Sequence, residues 1–329
     1  MKVLVTGATG FIGGHLVDAL VKKGYEVRCL VRKTSHVQQL TRRGVELAYG
    51  DITDMDSLHR VREGIGIVFH LAAIRGERKL PLSMYWEVNV EGTRNMLEAF
   101  CRDGAKHFVY VSTIGVLGWV RHPPADERSP YHPEGSYHIT KCEAEKLAIE
   151  FHKVRRLPVT VIRPVMTYGP DVSGFLFNLA RLIKSGKFRQ IGDGKNYLHL
   201  LDVRNLTQAL ISVLEKPEAM GQIYIVADNQ PITLGEIVTL IADTLKVDIP
   251  RGQIPIWLAK LAGLVSGLAS KAIPGVAEPL ITGGKVDLMT KHRFYDISKA
   301  GKELCFEPSV STEVGIRQTI QWYLDNGYL

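Results

Sequence analysis

The chain has 329 residues, of which 45% are hydrophobic and 23% charged, a balance typical of globular proteins with a substantial core. Its formal net charge of +7 raises the question of a nucleic-acid partner. The basic residues, however, occur as dispersed pairs such as Arg42-Arg43 and Arg155-Arg156, without a basic stripe of interleaved aromatics. We therefore expect no nucleic-acid partner.

The sequence pattern also disfavours secreted, disulfide-rich, metal-dependent and membrane-inserted proteins. No charged segment followed by an apolar signal core opens the sequence, so we expect a cytoplasmic protein. The four cysteines are scattered, and the histidines show no metal-ligand spacing, so we expect no disulfide framework and no catalytic metal. The apolar stretch 254–273 is interrupted by lysines and glycines, which excludes stable membrane insertion. We interpret it as a core helix, with a lid over an apolar substrate as the alternative.

The first elements predict dinucleotide binding. Residues 3–5 form a short apolar run typical of a buried strand, and Gly7, Gly10 and Gly13 follow it. Apolar residues then recur at helical spacing from Phe11 to Val21. Glycines between a strand and a helix let the backbone approach a pyrophosphate, which sits at the helix N-terminus.

Strands and helices alternate through the first half of the chain. The predicted strands cover 26–31, 45–49, 67–72, 107–111 and 159–163, and the predicted helices cover 54–62, 83–102 and 137–153, with Thr53 as the N-cap of the first of these three. This alternation predicts an α/β fold of Rossmann-like type, a doubly wound parallel sheet with helices on both faces. Its ligand crevice should lie at the carboxyl ends of the strands.

The second half of the chain is less regular. We predict helices over 175–184 and 233–245, the latter with a capping box of Thr233 and Glu236, and a strand over 222–226 that returns to the main sheet. The predicted division is a nucleotide-binding Rossmann domain over 1–166, to which 200–226 return. A smaller, mainly C-terminal α/β substrate domain would comprise 167–199 and 227–329.

Tyr137 and Lys141 carry the predicted chemistry. Four residues apart on a helix, they share one face, and a nearby ammonium favours the phenolate of a tyrosine. Ser112 and Thr113 end the strand that precedes this helix. A hydroxyl at that edge can hold a substrate oxygen while the tyrosine exchanges a proton.

A series of short motifs extends over nearly the whole chain: Thr6-Gly-Ala-Thr-Gly-Phe-Ile-Gly13, Gly50-Asp51, His70-Leu-Ala-Ala73, Asn89-Val-Glu-Gly-Thr93, Val111-Ser-Thr113, Tyr137-x-x-x-Lys141, Arg163-Pro-x-x-x-Tyr-Gly-Pro170 and Tyr295-Asp-Ile-Ser-Lys-Ala300. In this order they resemble the extended short-chain dehydrogenase/reductase superfamily, which includes the NAD-dependent epimerase/dehydratase family.

The resemblance implies residue roles. Tyr137 would be the general acid/base, Lys141 its partner and a ligand of the nicotinamide ribose, and Thr113 the catalytic hydroxyl, with Ser112 as the alternative. Asp51 and Ile52 would contact adenine, Pro164 would lie beside nicotinamide, and Asn89 would have a structural or relay role. The implied cofactor-binding set is Gly7, Thr9, Gly10, Phe11, Ile12, Gly13, Arg32, Lys33, Asp51, Ile52, Leu71, Ala72, Ala73, Tyr137, Lys141 and Pro164.

The cofactor prediction depends on Arg32 and Lys33. An acidic residue after the second strand would bind the ribose hydroxyls of NAD, but this sequence has Arg32-Lys33 there. A guanidinium suits a 2′-phosphate, so we expect NADP(H), with NAD(H) still possible.

The resemblance leaves two reaction classes open. Nucleotide-sugar enzymes of this kind carry Gly-Asp-Gly-x-Gln-x-Arg, whereas this chain has Leu198 at the arginine position after Gly192-Asp-Gly194. The segment, with Asn205, is closer to the 3β-hydroxysteroid or sterol dehydrogenase branch. This favours a dehydrogenase or reductase acting on a hydroxyl or ketone of a largely apolar molecule.

Two alternative functions remain. The first is a nucleotide-sugar epimerase or dehydratase, in which Lys195, Arg204 or Arg181 would bind the diphosphate. The second is a regulatory protein without turnover, although the presence of Thr113, Tyr137 and Lys141 argues against it. The resemblance also implies a homodimer formed through the helices at 83–102 and 137–153.

Overall fold

The computed structural model describes residues 2–75, 80–102, 104–171, 174–249, 252–272 and 283–329. Within these ranges the strands are β1 (Lys2–Thr6), β2 (Glu26–Val31), β3 (Glu46–Tyr49), β4 (Ile65–His70), β5 (His107–Val111), β6 (Val159–Pro164), β7 (Met166–Tyr168), β8 (Gln190–Ile191), β9 (Tyr197–Leu198), β10 (Leu200–Asp202), β11 (Ile223–Val226), β12 (Ile232–Thr233) and β13 (Gln253–Ile254).

The α-helices of the same ranges are α1 (Phe11–Lys22), α2 (Gln38–Arg42), α3 (Met55–Val61), α4 (Leu82–Trp86), α5 (Gly92–Arg102), α6 (Gly135–Arg155), α7 (Gly174–Lys184), α8 (Val203–Ser212), α9 (Leu234–Leu245), α10 (Ile256–Ala272), α11 (Gly283–Thr290), α12 (Ser298–Leu304) and α13 (Thr312–Asp325).

The central sheet confirms the predicted fold class. Its strand order is β11-β6-β5-β4-β1-β2-β3, and every neighbouring pair in it is parallel. The predicted return of a strand near 222–226 is also confirmed, because β11 pairs with β6 in register from Ile223 and Val161 onward. The carboxyl ends of all seven strands therefore meet at one edge of the sheet.

Helices cover both faces of this sheet. Val3 and Val5 of β1 pack in one buried cluster with Leu16 of α1 and Leu206 of α8. Leu4, between them, faces the opposite cluster, which contains Met96 of α5. The alternation follows from the two-residue period of a strand, and burial on both faces explains why the strands are almost uniformly apolar.

Most predicted elements differ from the structure by one or two residues at an end, and two of the differences have a clear physical reason. The strand predicted over 67–72 is β4, which ends at His70 because the backbone N–H groups of Leu71 and Ala72 both donate to the Thr6 hydroxyl at 3.1 Å. The N-cap of α3 is Asp54 and not Thr53. The Asp54 carboxylate accepts from the N–H groups of Asp56 and Ser57, a pattern that satisfies otherwise orphan donors.

The helix predicted over 83–102 is a continuous helical run from 82 to 102. It comprises α4, a π-helical turn over Glu87–Glu91, and α5. Asn89 lies in the π turn, is buried, and uses its amide to donate to the Ile74 carbonyl and the Thr140 hydroxyl while accepting from the Ile74 N–H. Asn89 thus fixes the chain after β4 against α6.

Asp228, just after β11, joins the second half of the chain to the sheet. Its carboxylate accepts from the Asn205 side-chain amide at 2.8 Å and from the Tyr168 and Thr312 hydroxyls at 3.3 and 3.1 Å. Burial raises the pKa of Asp228 to about 6. Asn205 also donates to the Val310 carbonyl and accepts from the Val310 N–H, so one buried pair holds the segment before α13.

α10 does not fit its prediction as a core helix. Its described side chains include the exposed Trp257, Leu258, Leu261, Leu264 and Val265, while Ala259 on the opposite side is buried. The large apolar side chains described in this helix therefore face outward. Within the described ranges, no helix is both long and apolar enough to cross a membrane.

Candidate active site

The glycine loop after β1 is shaped for close backbone approach. Gly7 has φ of +70°, and a Cβ there would lie 2.9 Å from the backbone nitrogen of Ala72. The buried His70 ring, whose pKa burial lowers to about 3, bonds the hydroxyls of Thr6 and Thr93 at 2.8 and 3.0 Å. This neutral bridge fixes Leu71 and Ala72 beside the glycines.

Beside this loop lies a cavity of about 410 Å³. Ala8, Thr9, Gly10 and Gly14 line one side, and Gly10 is the N-cap of α1, whose first turn contains Phe11, Ile12 and Gly13. An anion there would meet free N–H groups and the positive end of the helix dipole. The loop and cavity therefore fit the pyrophosphate of a dinucleotide.

The opposite wall of the cavity is basic, which sequence reasoning missed. His36, Arg42 and Arg43 line it, and no carboxylate is among its lining residues within the described ranges. Arg43 is held by a two-bond ion pair with Asp18, at 2.5 and 2.7 Å. Arg32 and Lys33 are exposed after β2 and do not line the cavity. The basic pair Arg42-Arg43 was the available sequence signal.

Asp51 and Ile52, the expected adenine contacts, lie after β3. The Asp51 carboxylate accepts from the N–H and the hydroxyl of Thr53, at 3.0 and 2.9 Å. Ile52 is buried, and its side chain fills the space that a Cβ on Gly92 would take. Its carbonyl accepts from the Asn95 side chain. The Ile52 side chain thus packs in the core, and the Asp51 carboxylate shapes a turn.

Ser112 and Thr113 have different environments at the end of β5. Ser112 is buried and donates its hydroxyl proton to Glu145. Thr113 is half-buried, and its hydroxyl accepts from the Gly115 N–H at 3.2 Å, so its own proton is free to donate. This difference favours Thr113 over Ser112 as the hydroxyl that meets a substrate oxygen.

Tyr137 and Lys141 lie in the first turns of α6, which packs against the turn that follows Thr113. The Lys141 ammonium donates to the Val111 carbonyl at 2.7 Å and lies 4.1 Å from the centroid of the Tyr110 ring. Burial lowers the pKa of Lys141 to about 7, against the raising effect of Glu145. The predicted helix face is therefore present, with the ammonium directed at the end of β5.

The electrostatics of Tyr137 differ from the expectation that Lys141 lowers its pKa. Burial raises the pKa of Tyr137, and the positive charge that opposes this is Arg75. The Lys141 ammonium, in turn, donates to the Val111 carbonyl. As a result, the Tyr137 phenol keeps its proton more firmly than a tyrosine in water.

Behind these residues lies a fully buried ion pair of Glu145 with Arg163, the last residue of β6 before Pro164. Arg163 donates to Glu145 at 2.6 and 3.1 Å, and the Tyr131 hydroxyl donates to the same carboxylate at 2.8 Å. These hydrogen bonds to Glu145 offset the cost of burying its negative charge. Pro164 is buried at the edge where β6 ends, while Ala73 is half-buried after β4.

The side of the site formed by the second half of the chain contains an unpartnered cation that sequence reasoning missed. Arg293 pairs with Leu198 in a short bridge, and its buried Nε has no hydrogen-bond partner among the residues described. Burial, and to a smaller extent the positive charge of Arg293, lowers the pKa of His138, whose ring centroid lies 5.2 Å from that of Tyr137. The Arg293 charge therefore acts on His138, the neighbour of Tyr137 in the chain.

The three candidate diphosphate ligands from the sequence have other environments. Arg204 is bound by Asp202 through two hydrogen bonds of 2.9 and 2.7 Å. Arg181 lies 5.7 Å from the centroid of the Phe177 ring, and Lys195 is exposed. Within the described ranges, no group of histidine, cysteine and carboxylate side chains is arranged to hold a metal ion.

A parallel sheet with this strand order, a glycine loop at a helix N-terminus and a hydroxyl, phenol and ammonium at its carboxyl edge define a nicotinamide-dinucleotide enzyme of the short-chain dehydrogenase/reductase type. Residues 3–227 match the model of the NAD dependent epimerase/dehydratase family, and the chain belongs to that family.

Relatives of known name span different substrates. The chain is 30% identical, over 82% of its length and 80% of the relative, to N-acetyl-alpha-D-glucosaminyl-diphospho-ditrans,octacis-undecaprenol 4-epimerase of Escherichia coli O157:H7. It is 28% identical, over the full length of both chains, to sterol demethylase protein B of Methylococcus capsulatus. The crystal structure of gox2253 superposes with a TM-score of 0.85 at 26% identity, covering 100% of this chain and 99% of that one.

These similarities establish an enzyme that uses a nicotinamide cofactor, and they confirm the superfamily resemblance. They do not select a substrate class, because the relatives act on both sugar-diphosphate and sterol compounds by name.

Proposed function

We propose that this enzyme transfers a hydride between NADP(H) and a hydroxyl or ketone of a largely apolar substrate, with Tyr137 exchanging the proton. The observation that supports this is the convergence of Thr113, Tyr137 and Lys141 at the edge where β5 ends, with the Lys141 ammonium 2.7 Å from the Val111 carbonyl. In this proposal, 1–166 with 200–226 hold the dinucleotide, while 167–199 and 227–329 hold the substrate.

The residues have separate tasks. A bound nicotinamide supplies or accepts the hydride. The Thr113 hydroxyl donates a hydrogen bond to the substrate oxygen and orients it. Because burial raises its pKa, the Tyr137 phenol is protonated at neutral pH and suited to give that proton to a developing alkoxide. The Lys141 ammonium, held beside the end of β5, would bind the ribose of the cofactor.

The cofactor preference rests on positive charge. Arg32 and Lys33 follow β2 where NAD enzymes place a carboxylate, and His36 and Arg42 line the adjacent cavity. A 2′-phosphate carries two negative charges that such side chains bind well. NAD(H) is the alternative.

A second candidate function is epimerisation or dehydration of a sugar carried on a diphosphate. Arg293 supports it, because a half-buried guanidinium with an unpaired Nε is suited to bind an anion, and its charge acts on His138 beside Tyr137. Leu198, which lacks the expected positive charge, is the bridge partner of Arg293. A neighbouring strand could therefore supply the charge that position 198 lacks.

One experiment separates the two candidates. The purified enzyme is incubated with NADPH or NADH and, in parallel, with a panel of apolar ketones and a panel of nucleotide sugars. Oxidation of NADPH that depends on a ketone supports the first function. Isomerisation of a sugar without net cofactor turnover supports the second and overturns the first.

Arg293→Met sharpens the comparison. If the substrate carries a diphosphate, this variant raises KM for it by about tenfold or more, since a hydrogen bond to a charged group contributes roughly 1.5–3 kcal/mol. Reduction of an apolar ketone keeps its KM. Exposed Arg121→Met is the matched control.

A further inference from the structure

α10 presents an apolar face to the outside of the molecule. Trp257, Leu258, Leu261, Leu264 and Val265, here called the outward face, are between 44% and 68% exposed. Their spacing of i, i+1, i+4, i+7 and i+8 places them in one stripe along the helix. A helix that serves only a protein core would bury such a stripe.

The inner side of the same helix explains its orientation. Ala259 is buried against Ile191 and Val286, and Gly263 is buried one turn further on. These small residues let α10 pack closely on α11, and Ala259 shares a buried cluster with Ile191 of β8. Packing therefore uses the small residues, and the large apolar side chains remain outside.

Basic residues precede the pair of strands that leads into this helix. β13, just before α10, pairs in parallel with β8, whose preceding segment carries exposed Lys184, Lys187 and Arg189. α10 itself carries exposed Lys260. The sequence has no Asp or Glu from 174 to 192 or from 249 to 272. The acids that flank these stretches in the sequence are Asp171, Asp193, Asp248 and Glu278, of which Asp193 and Asp248 are exposed and Glu278 lies outside the described residues. Asp287 of α11 pairs with Lys291 at 2.8 Å.

We propose that the outward face of α10 docks the enzyme on the surface of an anionic phospholipid bilayer. An exposed apolar stripe with a tryptophan and flanking lysines is the pattern of a helix that lies in the membrane interface. The basic residues around it match the charge of an anionic leaflet. A second copy of the chain is disfavoured, because a twofold contact would bring two basic surrounds together.

The docking places the substrate side of the enzyme against lipid. α11, on which α10 packs, is tied to β9 because Asn196 donates to the Leu288 carbonyl, and β9 leads to Leu198 beside Arg293. An amphiphilic substrate could thus reach the site from the bilayer. The docking itself requires no hydride transfer, so it stands or falls separately from the proposed function.

Sedimentation with vesicles tests the proposal on the full chain. Vesicles of phosphatidylcholine alone are compared with vesicles that also contain phosphatidylglycerol, without substrate. We expect the enzyme to partition at least tenfold more strongly to the anionic vesicles. The triple variant Trp257→Ser, Leu261→Ser, Leu264→Ser should lose at least tenfold of this binding. A matched triple, Val21→Ser, Val314→Ser, Tyr328→Ser, replaces exposed apolar residues elsewhere and should bind as the wild type does.

Charge is tested separately with Lys184→Gln, Lys187→Gln, Arg189→Gln, which should weaken anionic-vesicle binding by roughly tenfold or more and flatten its salt dependence. Binding of NADPH, followed by its fluorescence, checks that each variant is folded. Equal absence of the wild type from both kinds of vesicle overturns the proposal. The proposal is also overturned if the triple α10 variant binds vesicles as the wild type does. The same holds if this variant keeps its vesicle binding but changes from a dimer to a monomer, because the outward face would then be an interface between copies of the chain.

Discussion

Glu145 is a buried carboxylate one helical turn from Lys141, and its charge acts on that lysine. Burial lowers the pKa of Lys141 to about 7, and the negative charge of Glu145 raises it. The ammonium exists below that pKa and is lost as the pH rises through it. If catalysis needs the ammonium, kcat/KM of the enzyme should fall on the alkaline side, with a midpoint near 7.

Glu145→Gln tests this assignment through the pH profile. Removing the negative charge lowers the pKa of Lys141 further, so the alkaline limb of kcat/KM should move to lower pH. The variant also leaves Arg163 without its anion, which should cost about 3–5 kcal/mol of unfolding free energy, measured by denaturant titration. Exposed Glu150→Gln on the same helix is the control. An alkaline limb that stays in place in Glu145→Gln would refute the coupling.

Tyr137 is predicted to dominate turnover without dominating cofactor binding. Tyr137→Phe removes only the hydroxyl, so NADPH affinity measured by fluorescence titration should stay within about threefold. Turnover should fall by roughly 10²–10⁴-fold, the usual contribution of a general acid or base. Tyr328→Phe, at an exposed tyrosine, should change neither quantity. Turnover at the wild-type level in Tyr137→Phe would falsify the mechanism.

Arg32 carries the predicted selectivity for NADP(H). Arg32→Asp replaces a cation with an anion, so KM for NADPH should rise about tenfold or more while KM for NADH changes little. Exposed Arg60→Asp is the control for overall charge. Unchanged Michaelis constants for both cofactors would mean that the binding charge comes from elsewhere, such as His36 and Arg42 in the cavity.

Among the elements, α9 shows that local sequence can fix a helix start. The Thr233 hydroxyl accepts from the Glu236 N–H at 3.2 Å, and the Glu236 carboxylate accepts from the Thr233 N–H at 2.8 Å. The predicted capping box is therefore confirmed. Its signal is short in sequence and depends on no distant contact, which is why it could be recognised.

Thr233→Ala should reduce the free energy of unfolding by about 1 kcal/mol. Thr239→Ala, at an exposed position inside the same helix, should have little effect. Hydrogen bonds from Thr233 lower the pKa of Glu236, so this stabilisation is present above the unfolded-state pKa and is lost as the pH falls through the folded one. Equal denaturation midpoints of Thr233→Ala and wild type at neutral pH would contradict the prediction.

Other elements could not be predicted from local pattern. Thr53 and Asp54 are both residue types that commonly cap a helix N-terminus. Asp54 is the N-cap of α3 because the Thr53 hydroxyl instead donates to the Asp51 carboxylate. The apolar composition of α10 indicates burial, yet its packing face consists of Ala259 and Gly263. In both cases a contact with another segment decides the outcome.

For the whole molecule, sequence predicted the half of the site that the parallel sheet builds. Gly7, Thr113, Tyr137 and Lys141 each lie next to a strand end, and the sheet order brings those ends together. The substrate side was not predictable in the same way. Arg293 meets Leu198 through a bridge between segments about 95 residues apart, and no spacing rule reports such a contact.

The homodimer stays a prediction, and its helices can test it. Met84 and Trp86 of α4 are 42% and 39% exposed, on the helical run expected at the interface. If the run pairs with its copy, Met84→Glu with Trp86→Glu should convert a dimer to a monomer in light scattering, with unchanged circular dichroism. Val314→Glu on α13 is the control. A wild-type monomer at micromolar concentration would show the prediction to be wrong.

The late arrival of β11 has a consequence for how the chain matures on the ribosome. β6 is complete at Pro164, but its outer neighbour begins only at Ile223, after β7–β10, α7 and α8 have been made. Until then, the N–H and C=O groups along one side of β6 have no strand partner, and unpaired strand edges invite association between chains. A nascent chain stopped near residue 170 should therefore aggregate or recruit chaperones, whereas one extended past Asp228 can close the sheet.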